Sequence, residues 1–213
     1  MNLHYAIISS YAQKSLIALY EKGVDFTPVK VNLASAEGIA EYRKIYPLGK
    51  IPLLTGDDGL FIPESTIIIE YLENEFAEQG TSLIPADKTA ARRVRFKDRI
   101  ADLYVNEPVI LLYRNSVKPV EQQDQVAIAK AHETLAATFA LLEPGLGKQE
   151  FMCGDAFSMA DCAMFAPLFY AKNLHPYDDH PNLTAYFERL KQRPSAQKVL
   201  AELIPFLKSM SNT

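Results

Sequence analysis

The sequence predicts a protein of two parts, α/β plus all-α: a small mixed module of order βαβαββα, then a bundle of helices. Three observations predict it. Short β-propense runs alternate with helical segments from Leu3 to Phe76. A stretch from Ala77 to Asp87, holding Gly80, Thr81, Ser82 and Pro85, reads as a linker. Beyond it the strand signals stop and long helical periodicities take over.

Leu3 to Ile8 is a β-propense run. Tyr11 to Lys22 places Ala12, Leu16, Leu19 and Tyr20 on one helical face, and Gly23 ends that helix. Phe26 to Val31 reads as a second strand, Ile39 to Ile45 as a short helix, and Ile51 to Thr55 as a third strand. Gly56-Asp57-Asp58-Gly59 then separates Ile51-Pro52-Leu53-Leu54 from Leu60-Phe61-Ile62, a hairpin signal for two antiparallel strands. Ser65 to Phe76 stacks Ile68, Leu72 and Phe76 at intervals of four and is a third helix. After the linker, Thr89 to Tyr113 is one long helical pattern that has to bend near Pro108, because proline lacks the backbone donor for that turn. Val120 to Leu142 is a second long helix, ended by Pro144-Gly145, and shorter helices start at Met159, Leu183 and Ala196. The domains predicted on this pattern are residues 1–78 and 88–213, joined by 79–87.

Composition narrows the function classes. Hydrophobic residues make up 48% and charged residues 23% of 213, with no apolar run long enough to span a bilayer. The N-terminus has no basic segment and leads directly into an alternating apolar run, so a cytosolic protein without a targeting leader is expected. A net charge of −4 argues against a nucleic-acid surface, and Asp87, Asp98 and Asp102 interrupt the basic cluster Arg92, Arg93, Arg95, Lys97 and Arg99. Cys153 and Cys162 form neither a disulfide framework nor a CxxC redox motif.

Five strings, taken together, resemble the glutathione transferase family: Ser9-Ser10-Tyr11-Ala12-Gln13-Lys14, Glu21-Lys22-Gly23-Val24, Tyr46-Pro47-Leu48-Gly49-Lys50-Ile51-Pro52-Leu53-Leu54, Glu64-Ser65 with Ile69-Glu70-Tyr71-Leu72, and Gly154-Asp155-Ala156-Phe157-Ser158-Met159-Ala160-Asp161. Their order and spacing cover almost the whole chain. The resemblance implies a thioredoxin-like N-terminal domain that binds glutathione as co-substrate, without a metal, and a helical domain that completes a pocket for a small hydrophobic electrophile. It also implies a homodimer in which the third helix of one subunit meets the long helix of the other. A protein on the same fold that resembles the bacterial stringent starvation protein, a regulator that associates with RNA polymerase, stands as the alternative.

Transfer of glutathione to an electrophile needs the thiolate, and a free thiol has a pKa of about 8.5. Lowering it by about two units takes roughly 3 kcal/mol. A hydroxyl donating to sulfur supplies about 1.5 to 3 kcal/mol and a helix N-terminus about 0.3 to 1 kcal/mol more. Ser9, where the first strand ends and the first helix begins, resembles the activating serine of serine-type transferases. Ser10-Tyr11-Ala12-Gln13 also reads as a capping box, so Ser10 is expected to cap the helix while Ser9 faces the sulfur. Tyr5 is the rival, at the strand position from which tyrosine-type relatives present their hydroxyl.

The remaining glutathione contacts follow from the resemblance. Ile51-Pro52 resembles the cis-proline turn whose preceding main chain pairs with the cysteinyl part. Lys50 lies close to the glycyl carboxylate, Ser65 at a helix start takes the γ-glutamyl carboxylate, and Glu64 accepts from the ammonium. Tyr11, Tyr104, Asn106 and Tyr113 are candidates for the second-substrate pocket. Ser158 and Asp161 read as a capping box stapled by Phe157, with Asp161 buried as a folding element. Two departures stand out: residues 32–38 lack the basic residue that often grips the glycyl carboxylate, which implies a weaker hold on glutathione, and Tyr46 stands where asparagine often precedes the proline.

Overall fold

The computed structural model describes residues 1–211. By internal packing the chain forms two compact units: residues 1–83 together with the last helix, and residues 84–193.

The first unit carries a four-stranded mixed sheet in the order β2-β1-β3-β4, from β1 (Asn2–Tyr5), β2 (Thr27–Lys30), β3 (Leu53–Thr55) and β4 (Phe61–Pro63). β1 runs parallel to β2 and antiparallel to β3, and β3 runs antiparallel to β4. Helices α1 (Ser10–Lys22), α2 (Ala36–Ile45) and α3 (Ser65–Glu75) complete the predicted βαβαββα order. α1 ends at Gly23, whose φ of 65° suits a residue without Cβ and lets its N–H close on the Leu19 and Tyr20 carbonyls. Leu3, Leu53, Leu54, Leu16, Ile68 and Leu72 are wholly buried and form the core between the sheet and the helices α1 and α3.

The last helix, α9 (Pro194–Ser211), packs with this unit. Ser195 Oγ bonds Glu21 at 2.5 Å, Lys198 lies over the Tyr20 ring, and Glu202 meets Tyr5 and Lys30. Composition places this helix with the helical region, since contacts across about 170 residues of sequence leave no local trace. Residues 77–83 are tied down as well: Glu73 accepts from Ser82 Oγ and Leu83 N, and Lys22, wholly buried, reaches both Glu73 and the Ala77 carbonyl.

The second unit consists of α4 (Lys88–Ile100), a π-helical turn (Ala101–Asn106), α5 (Glu107–Ser116), a short 3₁₀ turn (Val120–Gln122), α6 (Gln125–Leu146), α7 (Met159–Leu174) and α8 (Pro181–Gln192). The long helix expected from Thr89 to Tyr113 is thus interrupted. Pro108 sits at the start of α5, where its missing N–H is tolerated, and the π turn takes up the mismatch just before it. The second long helix starts later and ends later than expected: Pro144 falls inside the last turn of α6, where it removes one donor without ending the helix.

α7 opens with the expected capping box. Asp161 is wholly buried and accepts from Met152 N, Ser158 N, Ser158 Oγ and Tyr186 Oη at 2.7 to 2.8 Å. Burial raises its pKa, and each of these bonds counteracts the rise. It is a structural hub, in keeping with its reading as a folding element.

Candidate active site at one end of the sheet

Strand register brings the candidate glutathione residues to one end of the first unit. His4 pairs with Leu53, so the antiparallel ladder continued by one or two steps sets Pro52 and Ile51 across from Tyr5 and Ala6. Leu53 pairs in turn with Pro63, the residue before Glu64-Ser65. The end of β1, the start of β3 and the end of β4 therefore meet at one sheet end, from which both α1 and α3 begin.

The sheet-to-α1 connection is held by main-chain bonds. Ser9 N donates to the Ala6 carbonyl, Gln13 N donates to the Ser9 carbonyl, and the Gln13 side chain donates to the Ile7 carbonyl at 2.8 Å. Ser9, not Ser10, is the N-cap: its backbone is extended (φ −75°, ψ 119°) and its Oγ accepts from Ala12 N at 3.3 Å. Ser10 is the first helical residue and is buried. The expected box from Ser10 to Gln13 does not form, because Gln13 lies wholly in the core and turns its amide to Ile7. Capping uses one acceptor lone pair of Ser9 Oγ. Its O–H remains a donor, so capping and donation to a ligand are compatible in one hydroxyl.

Tyr5 is placed differently. It is buried, and its hydroxyl donates to Glu202 at 2.9 and 3.0 Å. Burial first, then the bond to Glu202 and its charge, push the phenol well above its ordinary range.

Ile51-Pro52 is cis. Ile51 is half-buried against Tyr42, Tyr46 and Leu53, and among the described residues no turn or loop bond engages its main chain. Tyr46 fills the position where asparagine was expected by packing into this cluster, edge-on to Phe61. The Lys50 side chain is exposed.

Glu64 precedes α3 with φ 70° and ψ 119°, the one non-glycine residue with positive φ among those described. No side chain caps α3, so the first N–H groups of the helix keep their donor capacity beside Ser65, which is buried. Lys14, nearly wholly buried in α1, donates to Thr66 Oγ1 at 2.8 Å and joins the two helix starts. The reading from sequence missed Lys14, which lies opposite the predicted apolar face of Ala12, Leu16, Leu19 and Tyr20 and is buried because most of α1 is covered.

The second-substrate candidates divide between the units. Tyr11 lies in α1, whereas Tyr104 and Asn106 lie in the π turn and Tyr113 in α5. Tyr104 and Tyr113 are exposed. Asn106 is 2% exposed and its Oδ1 has no partner.

Residues 3–80 match the family model for the glutathione S-transferase N-terminal domain, and residues 125–189 match that for the C-terminal domain. Glutathione S-transferase 3 of Zea mays is 30% identical over 193 residues, covering 87% of this chain and 86% of its own length. The chain belongs to the glutathione transferase family. Glutathione S-transferase F10 of Arabidopsis thaliana is likewise 30% identical, over 93% of this chain and 95% of its own. A glutathione S-transferase from Methylobacillus flagellatus, solved with glutathione bound, superposes with a TM-score of 0.82 at 30% identity over 93% of this chain and 98% of that one. The thioredoxin-like domain and the helical domain are those of this family.

The residues present fit glutathione. An uncapped helix start with Ser65 suits a carboxylate, Glu64 offers an acceptor beside it, and Ile51 presents unengaged main-chain groups to a peptide.

Proposed function

We propose that this glutathione transferase activates glutathione through Ser9 and transfers it to small hydrophobic electrophiles. The observation that carries the assignment is the hydroxyl geometry at the end of β1. Ser9 Oγ caps α1 while keeping its O–H available, and the Tyr5 hydroxyl is bound to Glu202. A thiolate at this helix start gains from the Ser9 donor and from the positive end of α1 together. The tripeptide then lies across the sheet end: its cysteinyl part along Ile51, its γ-glutamyl carboxylate at Ser65, its ammonium at Glu64 and its glycyl carboxylate toward Lys50. Tyr11, Tyr104, Asn106 and Tyr113 stay the candidate residues for the electrophile in this reading.

The setting is a cytoplasmic, detoxifying homodimer. Cys153 and Cys162 are thiols rather than a disulfide, which suits a reducing compartment, and no described helix is long and apolar enough to cross a membrane. Exposed Leu48, Phe61 and Ile67 in the first unit and Phe96 in the second are apolar surface that a second subunit would cover.

Calorimetric titration with glutathione tests the reading. A single site per chain is expected, with an ultraviolet thiolate signal appearing below the pH at which free glutathione ionises. Absence of heat at millimolar glutathione would instead favour a transferase-like regulator without catalysis.

A further inference from the structure

Resting on the glutathione reading above, we propose that Tyr42 is a positioning residue that aims the Ile51 N–H at the cysteinyl part of the tripeptide. Tyr42 lies in the last turns of α2 and is 4% exposed. Its hydroxyl donates to the Lys50 carbonyl at 2.7 Å, a short and well-formed bond.

The Lys50 carbonyl and the Ile51 N–H belong to the same peptide plane. That peptide is trans, since Ile51-Pro52 is the cis bond of the described chain, so its C=O and N–H point in opposite directions. A hydroxyl that fixes the carbonyl on the α2 side therefore turns the amide proton to the other side. The Tyr42 ring adds a second constraint, because Ile51 packs on the cluster that Tyr42 forms with Tyr46 and Leu53.

The segment needs such a brace. Gly49 has φ 62°, Leu48 is exposed, and among the described residues one turn bond, from Gly49 N to the Tyr46 carbonyl, engages the main chain of residues 47–50. That plane turns about ψ of Lys50 and φ of Ile51, and Gly49 lets the chain leading into it follow at low cost. Tyr42 removes the freedom before the ligand arrives, so ordering it is not charged against binding. Burial raises the Tyr42 phenol, which keeps it a neutral donor throughout the physiological range.

Tyr42→Phe tests this, since it deletes the hydroxyl and keeps the ring. Calorimetry is expected to show Kd for glutathione rising about five- to ten-fold, the size of one hydrogen bond, while the pKa of the bound thiol stays unchanged because Ser9 is untouched. In the free variant the order parameter of the Ile51 amide is expected to fall, reporting a more mobile peptide plane, while the amides of α2 keep theirs. Wild-type glutathione affinity in Tyr42→Phe, or an Ile51 amide as rigid as before, would overturn the role of Tyr42. Failure of the wild-type protein itself to bind glutathione would overturn the glutathione reading beneath it.

Discussion

The Tyr5 hydroxyl donates to the Glu202 carboxylate at 2.9 and 3.0 Å, joining β1 to α9 across 197 positions of sequence. Lys30 approaches the same carboxylate at 3.0 Å, so the acceptor lies between a phenol and an ammonium. A hydroxyl bound in this way is a poor partner for a second anion, which in the proposed mechanism leaves the sulfur to Ser9. Tyr5→Phe is then expected to leave the pKa of enzyme-bound glutathione where it is. It should lower stability to urea by about 1 to 3 kcal/mol, as expected for losing a bond to a charged group. A rise in the bound thiol's pKa on this substitution would return the activating role to Tyr5.

Glu64 holds φ 70° and ψ 119° at the start of α3, a conformation that costs a residue with Cβ on the order of 1 kcal/mol or more. Strain of this kind at a ligand contact predicts a trade of stability against binding. Glu64→Gly should raise stability by about 1 kcal/mol and weaken glutathione binding several-fold, because the acceptor for the ammonium goes with the side chain. Thermal melts and calorimetry on one sample read both effects. A variant that melts lower than wild type would remove the strain argument.

In the second unit, His132 Nδ1 and His175 Nδ1 lie 2.8 Å apart, a bond that needs one ring nitrogen to donate and the other to accept. His175 has its pKa lowered, by burial first and then by His132; Asp179 counteracts this and His180 adds to it. A histidine kept neutral in the folded state stabilises the protein above the ordinary histidine pKa of about 6.5, and the benefit is lost as pH falls through that value. The melting temperature of the wild type should therefore fall more steeply between about pH 7.5 and about pH 5 than that of His175→Gln. Parallel pH profiles for the two proteins would contradict this.

Much of the fold is legible in sequence because its signals are local. The periodicity of α1 and α3, the glycines between β3 and β4, and the Phe157-Ser158-Met159-Ala160-Asp161 cap all rest on neighbours within a few residues. The ambiguity at Ser9 and Ser10 is of another kind. Both are capping residues, a glutamine follows Ser10 at the right spacing, and only the burial of Gln13 against Ile7 decides that the helix starts one residue earlier. Pro108 and Pro144 show the same limit. Each removes one donor, yet one falls beside a π turn and the other disappears into a final helical turn, according to packing that sequence does not display. Glu202 and Tyr42 were invisible as site residues, since each acts on a segment brought close by the sheet and helices: β1 for Glu202 and the turn before β3 for Tyr42.

Titration of the enzyme-bound thiol in Ser9→Gly tests the central claim most directly, because glycine is a tolerable N-cap that costs only a few tenths of a kcal/mol and lacks the hydroxyl. A protein of nearly wild-type stability that still binds glutathione is expected, with the bound thiol's pKa raised by about one to two units toward its free value. An unchanged titration in a folded, glutathione-binding Ser9→Gly protein would contradict it.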